Sequence, residues 1–371
     1  MQAADTLLQL VRSNEGIRAF AERIDAAAAQ LRQPLRIMEV CGGHTHAILH
    51  YGLDQLLPES IRLVHGPGCP VCVLPQHRID AAIHLAQRPD TILVTLGDMI
   101  RVPGSSGSLQ QARADGADVR YLYSPLDSLA IAADNPDKTV IYFAIGFETT
   151  TPMTALLLDQ AQDRQLDNLL IHCNHVLVPQ AMELILAEGG AVDAFIAPGH
   201  VSVMAGAEQY RRLAETYGTP VVVAGFEPVD VLDAILRIIQ QKGNDIAEVD
   251  NAYSRFVKTA GNSKARQLVA TYFEPHDDFL WRGIGRIPGS ALKLRRAFAS
   301  HDAEVQLAAC CPAPAAEEPG TCLCGSILMG LAHPPECPSF ATACTPQHPL
   351  GSCMVSNEGA CAAYYKYRRH P

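Results

Sequence analysis

Residues 61–72 read IRLVHGPGCPVC, a short apolar strand pattern that runs directly into two cysteines. The glycines and proline at 66–68 predict a tight turn after the strand. Such a turn places Cys69 and Cys72 at the carboxyl end of that strand. A C-x-x-C pair is typical of a disulfide switch or of half a metal site. The pair alone does not decide between the two.

The same strand pattern recurs through the first two thirds of the chain and alternates with helical patterns. Predicted strands lie at 35–40, 61–65, 91–96, 119–123, 139–145, 168–173, 194–197 and 220–224, and predicted helices at 2–32, 74–87, 152–164, 179–189, 202–217, 228–242 and 262–272. This alternation is typical of parallel sheets covered by helices on both faces, so we predict an α/β fold.

Domain size favours two Rossmann-like parallel-sheet units that face one central cleft, rather than one large sheet. We predict the first unit at 34–122, with Cys41, Cys69 and Cys72, and the second at 123–245. Residues 1–33 together with 246–371 are expected to form a third unit, which is helical and cysteine-rich. Within it, we expect residues 273–285 to form a loop.

Composition limits the classes of partner. The 371 residues carry a formal net charge of −10, which argues against nucleic acid or an anionic membrane as a partner. Neither a signal peptide nor an apolar run of membrane-spanning length is recognisable, so we expect a cytoplasmic protein. Twelve cysteines in a reducing compartment indicate metal binding or redox chemistry rather than structural disulfides.

The front of the chain offers one candidate site. Cys41 follows the first predicted strand and begins a predicted helix, whose dipole we expect to lower the pKa of the thiol. His44 lies three residues further on, on the same helical face, where an imidazole can bind metal or transfer a proton. Three cysteines near a histidine make a plausible iron site, since thiolates favour soft metal centres. Cys173 lies inside an apolar strand and is expected to be a core thiol.

Glu148 ends the fifth predicted strand within the stretch GFETT. Its carboxylate either caps a helix or handles protons in the cleft, and the sequence leaves both interpretations open.

The tail carries the second candidate site. Eight of the twelve cysteines fall between Cys310 and Cys361. Four of them, Cys322, Cys337, Cys344 and Cys361, are separated by 14, 6 and 16 residues. Structural zinc usually shows short C-x₂₋₄-C spacings, whereas iron–sulfur clusters tolerate loose ones, so a cubane cluster is favoured. Cys324 and Cys353 are alternative ligands, and we assign no role to Cys310 and Cys311.

Four motifs together closely resemble the HypD family of [NiFe]-hydrogenase maturation factors, over nearly the whole chain. They are CGGHTH at 41–46, GPGCPVC at 66–72, GFETT at 146–150 and CMVSNEGAC at 353–361. The resemblance implies a scaffold on which an Fe(CN)₂CO fragment is built together with a HypC-type small chaperone. It also implies a HypE-type donor that supplies cyanide as a thiocyanate, and a hydrogenase large-subunit precursor that receives the fragment.

The resemblance also implies roles for individual residues. Cys41 matches the family's iron-binding cysteine and His44 the histidine beside it. Cys69 and Cys72 match a redox-active pair, of which Cys72 is also a candidate iron ligand. The four tail cysteines at 322, 337, 344 and 361 match a [4Fe-4S] motif. With Glu148 in the cleft, these residues indicate a redox-active assembly scaffold rather than a conventional turnover enzyme.

Two alternatives stay open. One is an iron–sulfur-dependent thiol–disulfide reductase that acts on a protein substrate through Cys69 and Cys72. The other is a metal carrier without redox turnover.

Overall fold

The computed structural model describes residues 13–190, 192–311 and 322–368. The strands are β1 (Leu35–Glu39), β2 (Ile61–His65), β3 (Thr91–Leu96), β4 (Asp118–Leu122), β5 (Thr139–Gly146), β6 (Leu169–His175), β7 (Ala194–Pro198), β8 (Val221–Ala224), β9 (Val249–Asn251), β10 (Phe273–Pro275), β11 (Phe279–Trp281), β12 (Gly285–Ile287) and β13 (Leu292–Leu294). All eight predicted strands are present, as β1 to β8.

The helices lie between these strands and in the tail. They are α1 (Asn14–Ala28), α2 (Gly42–Tyr51), α3 (Pro70–Val73), α4 (Gln76–Ala86), α5 (Leu109–Ala114), α6 (Asp127–Asp134), α7 (Thr151–Asp163), α8 (Val178–Ala187), α9 (Gly199–Ala205), α10 (Arg211–Tyr217), α11 (Pro228–Gly243), α12 (Ser263–Tyr272), α13 (Ala303–Gln306), α14 (Cys324–Leu328), α15 (Ser352–Val355) and α16 (Ala360–Tyr367). Short 3₁₀ turns lie at Leu53–Leu56, Gly97–Arg101, Ala207–Tyr210, Arg296–His301, Ala308–Cys310 and Pro334–Glu336.

Two parallel sheets form the body of the protein, which confirms the predicted α/β class. The first sheet has the order β2-β1-β7-β8-β9 and the second has the order β4-β3-β5-β6. Every pairing within them is parallel. The two antiparallel pairs β10–β13 and β11–β12 stand apart from these sheets.

The strands are grouped differently from the predicted division at residue 122. β1 and β2 pair with β7 and β8, whereas β3 to β6 form the second sheet. The chain therefore leaves the first sheet after β2, completes the second and then returns. A boundary after 122 would separate β4 from β5 although both pair with β3. Strand order is set by which hydrophobic faces pack together, and alternation along the sequence does not report it.

Three layers of hydrophobic side chains hold the two sheets. One face of the first sheet packs on α1 and α11, and one face of the second packs on α6 and α7. The remaining faces contribute to one shared central core, with Val64 and Phe195 from the first sheet and Leu93 and Phe143 from the second. Burying each such side chain contributes about 1.5–3 kcal/mol.

The cysteine-rich tail is part of this central core. Cys324, Ile327, Cys353 and Met354 are all buried in the same cluster as the two sheets. A segment with so little apolar periodicity cannot form a core alone, and here it packs on the core that the sheets already provide.

Other local predictions had mixed outcomes. The helix predicted at 2–32 is observed as α1, and residues 2–12 lie outside the described part of the chain. The helix predicted at 202–217 is two helices, α9 and α10, separated by a 3₁₀ turn. The loop predicted at 273–285 is wrong, because β10, β11 and the start of β12 lie there. Strands of three residues are too short to show a period of two.

No helix in the described ranges is both long enough and apolar enough to cross a membrane.

Candidate functional site

The first site lies at the carboxyl edge of the first sheet, between β1 and β7. Next to β1 on one side lies β2, and next to β7 on the other side lies β8, so the strand order diverges between β1 and β7. Such a point is a topological switch point, and the crevice there is where α/β folds bind ligands. Cys41 follows β1 and His200 follows β7. The Sγ of Cys41 lies 3.9 Å from the Nδ1 of His200. The switch point thus brings a thiol and an imidazole together.

Cys41 is the N-cap residue of α2 and is almost fully buried. Burial raises the pKa of its thiol well above the usual range, and the charges of Glu358 and Glu39 raise it further. The expected lowering by the helix dipole is therefore wrong, since desolvation of the thiolate outweighs the helix N-terminus. A soft metal ion that displaces the proton would supply the missing compensation.

His44 is buried on the first turn of α2. Its Nε2 lies 3.0 Å from the carbonyl oxygen of Gly225, so Nε2 carries the proton and donates it. Its Nδ1 has no hydrogen-bond partner among the described residues. The imidazole stacks on Phe226 at 4.9 Å between ring centroids. Burial lowers the pKa of His44 to about 4, so the ring is neutral and its Nδ1 lone pair is available to a ligand.

Cys69 and Cys72 lie beside this site, after β2. The Cys69 Sγ accepts a hydrogen bond from the Cys72 backbone N–H at 3.2 Å and donates to the Ser356 Oγ at 3.3 Å. Burial raises the pKa of the Cys72 thiol, on which the neighbouring thiols of Cys353 and Cys69 also act. Both cysteines are free thiols that contact the tail.

The tail thiols continue the series away from Cys72. The Sγ of Cys353 lies 3.1 Å from the Sγ of Cys324, which is close contact between two thiols but not a disulfide bond. Hydrogen bonding with Cys324, followed by burial, raises the pKa of Cys322. The thiols of Cys324, Cys361 and Cys72 all act on the pKa of the Cys353 thiol, which is raised. The sulfur series therefore runs Cys69, Cys72, Cys353, Cys324 and Cys322.

The predicted cluster ligands are partly brought together. Burial raises the pKa of the Cys344 thiol, and the charges of Cys361 and Cys322 raise it further. The sulfurs of these three residues are therefore close enough to interact electrostatically. The Cys344 Sγ accepts a backbone N–H from Leu350 at 3.4 Å. Cys337 is buried, and its backbone is hydrogen-bonded to Pro334 and Phe340. Within the described ranges, no three His, Cys, Asp or Glu side chains converge closely enough for a single metal ion.

A sulfur that accepts a backbone N–H, as that of Cys344 does, suits an iron–sulfur cluster, whose ligands lie further apart than those of a single ion. The four-cysteine set at 322, 337, 344 and 361 stays a prediction.

Close backbone packing joins the tail to the first site. A Cβ on Gly42 would lie 2.2 Å from the carbonyl oxygen of Glu358, and one on Gly68 would lie 2.2 Å from the backbone nitrogen of Cys41. Both positions require glycine because the neighbouring atoms belong to backbone. The tail therefore seats directly on the start of α2.

Glu148 lies at the switch point of the second sheet, after β5. Its Oε1 accepts the backbone N–H of Val178 at the start of α8, at 3.0 Å, and its buried Oε2 has no partner among the described residues. Burial raises the pKa of Glu148 to about 7. The carboxyl group lines a cavity of about 330 Å³ beside Met204 and Phe273. Capping and proton handling are both compatible with this geometry.

Sequence reasoning did not include His200, Cys324 or Cys353 among the chosen site residues. The sequence signal for His200 was the stretch Pro198-Gly199-His200 at a strand end, but its proximity to Cys41 depends on the pairing of β1 with β7. Cys324 and Cys353 were considered only as alternative cluster ligands. Their contact with each other and with Cys72 depends on the tail packing between the sheets.

Fold and site together define a class: an α/β protein of two parallel sheets, with a buried cysteine–histidine site at a switch point and a cysteine-rich tail packed against it. The family model described as "HypD: Hydrogenase formation hypA family" matches residues 15–368. The chain belongs to the HypD family of hydrogenase maturation factors.

Several relatives match over nearly their whole length. The hydrogenase maturation factor HypD of Azotobacter vinelandii is 52% identical over 365 residues, which cover 96% of each chain. HypD of Cupriavidus necator is 49% identical over 362 residues, with 94% of this chain and 95% of the relative covered. HypD of Escherichia coli (strain K12) is 46% identical over 371 residues, with 99% and 97% covered.

Proposed function

We propose that this chain is the scaffold and redox factor on which the Fe(CN)₂CO fragment of [NiFe]-hydrogenase is assembled. The observation that carries the proposal is the sulfur series, which runs from Cys69 and Cys72 through Cys353 and Cys324 to Cys322. A carrier without redox turnover has no need for such a series. Membership in a family of hydrogenase maturation factors also supports a function in hydrogenase assembly.

The iron fragment is the substrate of the first site. Cys41 binds iron as a thiolate, and iron binding releases the thiol proton that burial otherwise retains. His200 lies close to that sulfur, and His44 lies beside His200, since both imidazoles contact the Phe226 ring. Cys72 is the second candidate iron ligand. Thiolates suit low-spin Fe(II) while cyanide and carbon monoxide are attached.

Cyanide release is the redox step of Cys69 and Cys72. One thiolate of the pair attacks the thiocyanate sulfur of the donor, forms a mixed disulfide and expels cyanide. The second thiol attacks that disulfide and frees the donor thiol. The pair becomes a disulfide and gives up two electrons, while the two thiol protons pass to the donor thiol and to cyanide.

Cys324 and Cys353 return the pair to the dithiol. Exchange between their thiols and the Cys69–Cys72 disulfide moves two electrons and two protons, and leaves Cys324 and Cys353 oxidised. The two sulfurs need to approach by only about 1 Å from 3.1 Å to form that bond. Cys322, Cys337, Cys344 and Cys361 would hold a [4Fe-4S] cluster, which would pass electrons one at a time from an external electron donor to the oxidised pair.

Three protein partners belong to this proposal. A HypC-type small chaperone shares the iron fragment, a HypE-type donor brings the thiocyanate, and a hydrogenase large-subunit precursor receives the product. The net charge of −10 gives no support to nucleic acid as a partner.

Infrared spectroscopy of anaerobically purified protein, together with its small partner, tests the proposal. We expect CO and CN stretching bands in the unsubstituted protein. Cys41→Ala should lose them and keep the visible absorbance of the tail cluster. Cys173→Ser is the matched control, because the Cys173 thiol only donates to the Leu292 carbonyl oxygen in the core; it should keep both signals.

Two results would count against the proposal. A well-loaded unsubstituted protein without CO and CN bands overturns the assembly function, and cluster-dependent reduction of Cys69–Cys72 in that sample favours the thiol–disulfide reductase. Loss of the bands and of the cluster absorbance together in Cys41→Ala contradicts the division into two sites.

A further inference from the structure

A buried carboxylate lies directly before Cys41. Glu39 is the last residue of β1 and is 1% exposed. Its Oε2 accepts the Cys41 backbone N–H at 2.9 Å, and its Oε1 accepts from His65 Nδ1 at 2.6 Å and from the Thr45 hydroxyl. Burial of a carboxylate is unfavourable unless it is paired and hydrogen-bonded. Glu39 meets that cost with three donors, one of which is the backbone of Cys41.

When the imidazoles are neutral, the donor and the acceptor of each hydrogen bond beyond Glu39 are fixed. A carboxylate only accepts, so His65 Nδ1 carries the proton and Nε2 must accept. Its partner is the Tyr364 hydroxyl, 3.1 Å away, which therefore donates to Nε2. The Tyr364 oxygen then accepts from Nδ1 of His333, at 3.3 Å. We call Glu39, His65 and Tyr364 the anchor chain.

The anchor chain joins three elements. Glu39 and His65 face each other as the last register pair of β1 and β2. Tyr364 lies on α16, the helix that also carries the predicted cluster ligand Cys361. Glu39 and His65 are buried and Tyr364 is half-buried, and a hydrogen-bonded network shielded from water in this way favours one arrangement of its members over others. The start of α2 is thereby tied to a helix more than 300 residues away in the sequence.

We propose that Glu39, His65 and Tyr364 are positioning residues, which hold the backbone of Cys41 in register with α16. This inference deepens the proposed function and rests on it for the identity of the iron ligand. None of the three side chains is required to touch the iron fragment. They fix where the Cys41 sulfur stands relative to His200 and to the tail thiols.

Tyr364→Phe is the sharpest test, because it deletes one oxygen and keeps the ring. Tyr365→Phe deletes the same atom from the next residue of α16, whose ring packs on Phe340, and serves as the control. Hydrogen–deuterium exchange of the full, anaerobic chain without iron fragment is followed by mass spectrometry. We expect exchange in the peptide 39–45 to become about tenfold faster in Tyr364→Phe, as the loss of one net hydrogen bond implies. Exchange in β5 should not change.

A second readout uses the loaded protein. Displacement of Cys41 alters the ligand field of iron, so the CO and CN bands of Tyr364→Phe should be shifted from those of the unsubstituted protein. Tyr365→Phe should show unshifted bands. His65→Asn keeps a donor for Glu39 but cannot reach Tyr364, and should reproduce the effects of Tyr364→Phe.

The outcomes separate the two claims. Unchanged exchange at 39–45 with unshifted bands in Tyr364→Phe overturns the positioning role, and so does faster exchange spread equally over 39–45 and β5, which marks a general loss of stability. If the unsubstituted protein lacks CO and CN bands, the proposed function fails, while the exchange experiment still decides whether the anchor chain positions Cys41.

Discussion

The thiol of Cys41 lies 3.9 Å from His200, although 159 residues separate them in the chain. The two meet because β1 and β7 pair in parallel, after the chain has completed the whole second sheet between them. The site at this switch point therefore forms only when the first sheet is closed. A fragment that ends before β7 would contain Cys41, Cys69 and Cys72 but not the crevice.

His200→Ala should weaken retention of the iron fragment without unfolding the protein. The imidazole lies 3.9 Å from the Cys41 sulfur, and loss of a group that supports a metal ligand typically costs about 10-fold to 100-fold in affinity. We expect a loss of that order, roughly 10-fold or more, in iron bound after gel filtration.

His84→Ala is the matched control for that variant. His84 lies on the exposed face of α4, so iron content and infrared bands should equal those of the unsubstituted protein. Equal iron retention in His200→Ala and His84→Ala contradicts a role for His200 at the iron site.

The local elements of this fold could be predicted from sequence because each has its own signal. β5 is an almost continuous apolar run and β6 begins with one at 169–171, as is typical of buried parallel strands. Glycine and proline residues predict where the strands end, and they place Cys41, Cys69 and Glu148 at the carboxyl edges of the sheets. Those signals involve neighbours in the chain only.

Strand order and tail placement could not be predicted in the same way. No sequence pattern near β2 predicts that the next strand, β3, belongs to another sheet. Nothing near Cys353 states that it will contact Cys72, since that contact follows from burial of Met354 and Ile327 in the shared core. The raised pKa of Cys41 cannot be predicted for the same reason, because desolvation depends on what covers the residue, and here Glu358 of the distant tail packs on the start of α2.

Cys353→Ser should interrupt electron return to the front pair. Serine cannot take part in thiol–disulfide exchange, so Cys69–Cys72 oxidised by mild treatment should regain its thiols only on the order of minutes to hours, as uncatalysed disulfides do. The measurement is alkylation at timed intervals after anaerobic addition of dithionite, followed by mass spectrometry of the peptides. Cys173→Ser should match the unsubstituted rate. A matching rate in Cys353→Ser would exclude Cys353 from the route.

Gly68→Ala should destabilise the protein through the backbone of Cys41. The added Cβ would stand 2.2 Å from the Cys41 nitrogen and 2.5 Å from its Cα, and backbone atoms cannot move aside cheaply. We expect a loss of about 1–3 kcal/mol, typical of overpacking, seen as a lower urea midpoint. Gly97→Ala is the control, because nothing lies within 4 Å of its Cβ, and it should stay within about 0.5 kcal/mol. Equal midpoints for the two variants would show that the turn relaxes around residue 68.

Glu148 should give the protein a measurable dependence of stability on pH. Burial raises the pKa of its carboxyl group from 4.5 to about 7, so the native state binds more protons than the unfolded state between those values. The native state of the unsubstituted protein must therefore lose stability, through this group, as the pH rises from 4.5 to 7.

Glu148→Gln removes that penalty, since the amide stays neutral. We expect the variant to equal the unsubstituted protein near pH 4.5 and to exceed it by up to about 3 kcal/mol above pH 7, in urea unfolding at each pH. Glu215→Gln replaces a carboxylate that is 66% exposed, and its difference from the unsubstituted protein should stay within about 0.5 kcal/mol at both pH values. A difference for Glu148→Gln that is flat across pH 4.5–8 would mean that water or a bound cation solvates Oε2, and that the carboxyl group ionises as it does on the surface.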